Sequence, residues 1–213
     1  MSQTLLIYGS GGHGNVVADA ALAAGWTVLG FGDNDPDRAN TEVIGLPVLA
    51  IGLPAAIACC RNRNAAAVVA IGDNQARQRV FEAFRDSDVE LATVVHPTSV
   101  LAPSATLGAG TVVAAGAVIN PVARVGSNVI VNTGATLDHD NTVADHAHIA
   151  PGTHTGGTVS VGEGSLLGIG TSVRNNVDIG AWSIVGTGAV VVEDIPDRVV
   201  AFGNPARVAW SIP

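Results

Sequence analysis

Lysine is missing from this chain altogether: the ten basic residues among its 213 are all arginine. Charge of either sign is scarce, at 13% of residues, and aromatic side chains make up only 4%. The arginines form no cluster or stripe, which argues against nucleic acid as a partner. The formal net charge of −8 divides evenly between the first ninety residues and the rest. There are two cysteines, Cys59 and Cys60, and they are adjacent. Neighbours rarely pair, so they read as buried apolar residues of a reduced chain without structural disulfides. No apolar run reaches the length of a membrane span. No basic stretch precedes an apolar one at the N-terminus, so no signal peptide is expected. These absences predict a cytoplasmic protein that does not insert into membranes.

Aliphatic residues and glycine are abundant, at 47% hydrophobic content and 26 glycines. From Val95 to Val191 they follow a rule. Counting in sixes passes through Leu101, Leu107, Val113, Ile119 and so on, and sixteen of seventeen positions are aliphatic. The exception is Thr155. Four residues after each position sits a mostly small residue, such as Ala105, Ala123, Asn141 or Thr153. Glycine often follows directly, as in Gly108, Gly126, Gly180 and Gly186. Neither an α-helix nor an ordinary strand keeps a period of six over such a length. A solenoid of three-sided coils does, with three hexapeptides per coil and the aliphatic side chains stacked inside. At about 4.8 Å per coil, five to six coils make a prism roughly 27 Å long. Residues eighteen apart then lie one above the other.

The first ninety residues read differently. Thr4–Tyr8 is an apolar strand, and Gly9-Ser10-Gly11-Gly12-His13-Gly14 is followed by an alanine-rich helix, Val16–Ala24. Trp26–Phe31 is a second strand, closed by turn residues that include Asp33. The glycines fit G-x-G-x-x-G, with an acidic residue about twenty positions on, as in a nucleotide-binding βαβ unit. A helix N-terminus behind such a loop can receive a phosphate; without a ligand it would be a plain glycine turn. Val43–Val48 is a further strand, Leu53–Cys60 a helix, Ala66–Ile71 a strand and Gln75–Arg85 a helix. A parallel sheet of four strands follows. Gly9–Gly14, Asp33 and Gly72-Asp73-Asn74 fall at carboxyl ends of strands, where ligands bind such sheets. A dehydrogenase would also carry this fingerprint, but the domain is short and a solenoid follows it instead of a second catalytic domain.

A small α/β domain joined to hexapeptide repeats resembles the family of sialic acid O-acetyltransferases and nucleotide-amino-sugar N-acetyltransferases of the bacillosamine and perosamine type. The resemblance spans Ile7 to Ala206. It implies a Rossmann-like domain over residues 1–94 and a left-handed parallel β-helix over 95–196, with a C-terminal loop or tail over 197–213. It implies a homotrimer. It assigns the nucleotide sugar to the α/β domain, at Gly9, Ser10, Gly11, Gly12, His13, Gly14, Asp33, Gly72, Asp73 and Asn74. Acetyl-CoA goes to the β-helix.

Four of the six histidines, His139, His146, His148 and His154, lie within sixteen residues. Relatives carry an acidic–His–acidic triplet at Asp138-His139-Asp140, with the histidine as base. Histidine suits the role because it titrates near neutrality. A flanking carboxylate can fix its tautomer. The resemblance puts Asp140 first for this and Asp138 second. Gly157 is eighteen residues beyond His139, beside the broken position Thr155, and its N–H could stabilise an oxyanion. Asn132 and His148 match family residues near acetyl-CoA, and Gly203, Pro205 and Ala206 match its CoA-adjacent loop. Roles for His146 and His154 stay open.

The expectation is an acetyl-CoA-dependent transferase, without metal, acting on the 4-amino group of a nucleotide-linked 4-amino-4,6-dideoxyhexose. A UDP-linked bacillosamine precursor or GDP-perosamine, made for surface glycans such as O-antigen, fits the resemblance. Sialic acid O-acetylation is the near alternative. A zinc lyase of the β-helix carbonic anhydrase type and a non-catalytic nucleotide-sugar scaffold are the others.

Overall fold

The computed structural model describes residues 4–213. Residues 1–3, which the sequence assigns to the first domain, lie outside the described residues. The chain divides into two compact units between Pro97 and Thr98.

The first unit is built from β1 (Thr4–Tyr8), α1 (Gly12–Ala23), β2 (Thr27–Asp33), β3 (Glu42–Val43), β4 (Leu46–Ile51), α2 (Leu53–Arg63), β5 (Ala66–Val69) and α3 (Asn74–Arg85). Its sheet runs β3-β4-β2-β1-β5. The central strand β1 pairs in parallel with β2 and β5. Its Leu5, Leu6 and Ile7 are fully buried. A strand covered on both faces needs such a continuous apolar run. Tyr8 and Phe84 meet edge-on at 5.6 Å in the core that also holds Cys60. Burial pushes the Cys60 thiol up to about 12, with Cys59 adding to the effect, so Cys60 stays a thiol and packs as a small hydrophobe. Both cysteines are free.

The sheet has five strands, one more than the sequence predicts, and its edge is antiparallel. The extra strand comes from a hairpin whose two turn residues, Ile44 and Gly45, both have positive φ, 47° and 77°. That is the two-residue turn that matches strand twist. A β-branched isoleucine in the first position conceals it, because Asn-Gly is the usual signal.

The second unit is a parallel β-helix. Strands of two residues stack at a register of eighteen: Val100 on Val118, Val118 on Thr136, Thr136 on His154. Inward Ile119, Leu137, Val131 and Ile149 are fully buried. The glycine after the aliphatic position has a steric reason. A Cβ on Gly108 would lie 2.5 Å from the backbone of the next coil, and one on Gly162 would do the same. Glycine is the rule at that corner, and Ala144 is the one larger residue in its stack.

The segment expected as a loop or tail is instead a β-hairpin. Val199–Gly203 pairs with Ile184-Val185 in parallel, and Ala206–Ser211 folds back on it antiparallel. Phe202 and Trp210 pack edge-on across the hairpin, 5.9 Å apart. Among the described residues no helix is long and apolar enough to cross a membrane.

Candidate active site

In the α/β unit the carboxyl ends of β1, β2 and β5 open onto a cavity of about 320 Å³. Gly9, Gly11, Gly12, His13, Asp33 and Gly72 line it, as the motif predicts. Ser10, Gly14, Asp73 and Asn74 do not line it; three of them act behind it. Ser10 is buried and donates both its N–H (2.7 Å) and its hydroxyl (2.5 Å) to Asp33 Oδ2. Gly14 has no room for a side chain, since a Cβ would stand 2.2 Å from the Gly9 carbonyl oxygen. Asp73 caps α3 by accepting from Ala76 N–H at 2.7 Å.

Four lining residues escaped the motif: Tyr8, Asn34, Ala70 and Ile71. Their signal was position, for each lies at or just past the end of a strand. The Tyr8 hydroxyl donates to Asn34 Oδ1 at 2.6 Å, which leaves the Asn34 amide nitrogen to face other acceptors. Burial, with Asp33 nearby, pushes the Tyr8 hydroxyl up to about 12. Burial alone would raise the Asp33 carboxyl, but hydrogen bonds from Ser10, Asp35 and Asn34 outweigh it and hold Asp33 below its ordinary value. Arg77 is fully buried behind the loop and donates to the Ile71 carbonyl at 3.1 Å. Burial and the Arg77 charge pull His13 down to about 4, so it is neutral at neutral pH. This wall therefore offers backbone N–H groups and neutral donors, with one carboxylate already engaged.

In the β-helix, His139 stands at a corner, after strand Thr136-Leu137 and before Thr142-Val143. Its Nδ1–H donates to Asp140 Oδ2 at 2.8 Å, and both side chains are about half exposed. Asp138 does a different job. Its Oδ1 accepts from the His139 N–H at 2.7 Å and from Asn120 Nδ2 at 3.2 Å. So Asp140 holds the ring and Asp138 holds the turn. The Asp140 hydrogen bond raises the His139 pKa against an opposing desolvation, and the charges of Asp138 and Asp140 add to the rise. The bond fixes the tautomer and leaves Nε2 as the basic atom.

The imidazole lies on Gly157. A Cβ there would be 2.4 Å from His139 Cε1 and 2.5 Å from Nε2. The glycine is what makes room for the ring. Its carbonyl accepts from Asn176 N–H, while its own N–H donates to no acceptor among the described residues.

The remaining histidines do not converge. Asn132 Oδ1 accepts from Thr133 N–H at 2.8 Å, so its Nδ2 donates to His148 Nε2 at 3.2 Å. His146 Nδ1 bonds the buried Asn128 at 2.8 Å, one coil away, and His154 Nδ1 bonds Thr136 Oγ1 at 2.9 Å. The Asn132–His148 pair belongs to the sheet of Ile130-Val131, and His139 to the far end of the next one. One chain thus keeps them on different corners. Gly203, Pro205 and Ala206 sit at the turn of the C-terminal hairpin.

The description "PglD N-terminal domain" belongs to the family model that matches residues 4–84. No curated sequence matches the chain. Among solved structures it is similar to a histidine-to-asparagine mutant of perosamine N-acetyltransferase from Caulobacter crescentus, in complex with CoA and GDP-perosamine. Identity is 41%, the TM-score 0.92, and the match covers 98% of this chain and 97% of that one. It is also similar to the acetyltransferase domain of PglB from Neisseria gonorrhoeae, in complex with acetyl coenzyme A. There identity is 36%, the TM-score 0.91, and coverage 98% and 100%. WeeI from Acinetobacter baumannii shares the fold at 22% identity, TM-score 0.85, with 98% and 100% covered. The chain belongs to the family of hexapeptide-repeat sugar N-acetyltransferases that carry a PglD-type N-terminal domain.

Proposed function

We propose that this chain transfers acetyl from acetyl-CoA to the 4-amino group of a nucleotide-linked 4-amino-4,6-dideoxyhexose. The observation that carries the reading is the His139–Asp140 pair at 2.8 Å, with Nε2 turned to a glycine backbone. Similarity to transferases crystallised with CoA, GDP-perosamine and acetyl-CoA supports it. The cavity at Gly9–His13 and Asp33 takes the nucleotide, with loop N–H groups and the α1 N-terminus facing the phosphates. The sugar amine attacks the thioester carbonyl carbon directly. His139 Nε2 takes the proton that the nitrogen sheds, and Asp140 stabilises the imidazolium. The Gly157 N–H faces the oxyanion. Collapse breaks the C–S bond, and the CoA sulfur leaves with the proton from His139.

Asn132, His148 and the hairpin turn at Gly203, Pro205 and Ala206 serve acetyl-CoA. Because Asn132 and His148 lie on a different corner from His139, a complete site needs a neighbouring chain. A homotrimer brings one chain's His139 against the next chain's acetyl-CoA corner. The expected setting is the cytoplasm, with the product feeding surface-glycan synthesis.

The test is CoA release from acetyl-CoA against a panel of UDP-, GDP- and dTDP-linked 4-amino sugars, with sialic acid as the hydroxyl acceptor. Turnover with amines and none with sialic acid is expected. His139→Ala should lower kcat by about 10²–10⁴-fold, the usual worth of a general base. A variant that keeps its kcat removes His139 from the chemistry.

A further inference from the structure

Thr155 interrupts the aliphatic column, yet it is buried and points inward like its neighbours. Its hydroxyl faces two acceptors, Asn141 Oδ1 at 2.7 Å and the Thr136 carbonyl at 3.2 Å, with the shorter contact to Asn141, and accepts from the Asp138 N–H at 3.3 Å. Asn141 is fully buried, and its amide nitrogen donates to the Gly156 carbonyl at 2.8 Å and the His139 carbonyl at 3.3 Å. Two core side chains thus reach four backbone groups: Thr136 C=O, Asp138 N–H, His139 C=O and Gly156 C=O. Those groups bracket the base and the glycine its ring rests on.

One of these bonds is ordinary in this solenoid. Thr111, Thr153 and Ser165 each send a hydroxyl to a glycine carbonyl fifteen residues on, at Gly126, Gly168 and Gly180. Asn141 makes the same bond to Gly156. What is particular is the longer amide, which also reaches the His139 carbonyl, and the partner hydroxyl of Thr155. Coils above and below close with Leu137 over Ala123 and Val173 over Val159 at the same two positions. A polar pair is therefore not needed to close a coil. Burying it costs stability unless every group is bonded. It occurs at the coil that carries the base.

We infer that Thr155 and Asn141 are positioning residues, which fix the backbone of the His139 turn relative to Gly157 so that Nε2 meets the acceptor amine. The inference rests on His139 being the base. Small displacements at a reacting centre are costly; a shift of about 1 Å can cost roughly a hundredfold.

The test compares wild type with Thr155→Val, Thr155→Ser, Asn141→Thr and His139→Ala. Thr155→Val restores the aliphatic rule at nearly constant volume but leaves the buried Asn141 Oδ1 without its hydroxyl partner, so it should fold and melt below wild type. Its kcat should fall about tenfold, a fraction of the full misplacement effect, with KM for both substrates unchanged. Asn141→Thr keeps a hydroxyl for Gly156 C=O and loses the other two bonds, so it should show the same fall. Thr155→Ser keeps the hydroxyl and should retain kcat even if it melts lower. The acid limb of the rate should move to lower pH in Thr155→Val, because the carboxylates facing the ring, Asp140 and Asp138, are held less well. Wild-type kcat and pH profile in Thr155→Val overturn the inference, as does an equal loss in Thr155→Ser, which would make the methyl group the cause. Should Thr155→Val not fold, Thr155→Ser against Asn141→Thr decides by the same criteria. If His139→Ala alone keeps its kcat, the reading of the base fails, and the positioning role falls with it.

Discussion

Two histidines set the two halves of this molecule apart. His13, in the cavity of the α/β unit, sits against a buried arginine and is pulled down to about 4 by burial and that charge. His139, on the solenoid corner, is exposed between two aspartates and is raised, mainly by the Asp140 hydrogen bond. The same side chain is a neutral wall in one unit and a stronger base in the other. In the α/β unit the polar groups are already committed: Ser10 to Asp33, Asp73 to the α3 N-terminus, Arg77 to the Ile71 carbonyl. That suits recognition, where a rigid shape is wanted. On the corner one nitrogen and one N–H are left uncommitted, which suits chemistry.

The two units should respond differently to a methyl group added at glycine. At Gly157 an added methyl meets the half-exposed His139 ring, which can swing into solvent. Gly157→Ala should fold normally and lose about 10²-fold in kcat, near the lower bound for losing the base. At Gly14 an added methyl meets the Gly9 carbonyl, which cannot move away. Gly14→Ala should destabilise the α/β unit by about 1–3 kcal/mol, the usual cost of overpacking. Melting curves and steady-state kinetics on the pair separate the two. A Gly157→Ala protein that melts early with normal kcat per folded molecule would reverse the assignment.

Gly11 lines the cavity of the α/β unit. Nothing lies within 4 Å of a Cβ placed there, so a side chain would project into open space beside the cavity. Gly11→Val should raise KM for the nucleotide sugar about tenfold, the weight of one lost contact near 1.4 kcal/mol. KM for acetyl-CoA should not move. A rise in the acetyl-CoA KM alone would assign the loop to the other substrate.

Asp140→Asn removes the partner that raises His139. The base must be neutral to act, so the rate falls as pH drops through its pKa. With the raised value relieved, the acid limb should shift to lower pH. kcat at neutral pH should fall less than in His139→Ala, because the base itself remains. An unmoved acid limb would mean that Asp140 does not set the titration.

The smallest effect belongs to His13. Since it stays neutral down to about pH 4, KM for the nucleotide sugar should show no histidine titration between pH 5 and 8, where an ordinary imidazole would titrate. An inflection near 6.5 in a pH series of KM would show that His13 is solvated and charges normally.

The period of six, the inward aliphatics and the glycine corner were legible because each coil sees the same neighbours, so one local rule repeats. The same holds for the glycine loop, where the turn, the close approach and the helix start are sequential. What failed to read had non-sequential causes. The Ile44-Gly45 hairpin lacks the usual turn residues, and the C-terminal hairpin depends on the edge that Ile184-Val185 offers. The choice between Asp138 and Asp140 is settled by which oxygen meets the ring and which the backbone. Ser10 belongs to the glycine motif but faces Asp33 rather than the cavity.

Thr155 marks the boundary between the two kinds of information. Periodicity alone shows that this position breaks a rule and that His139 and Gly157 are stacked neighbours, because it fixes which residues superimpose. What the break does follows from the folded chain, since hydrogen bonds are directional and short. Asn141 is fourteen residues from Thr155 in the chain and 2.7 Å from it in space, and no spacing in the sequence carries that distance.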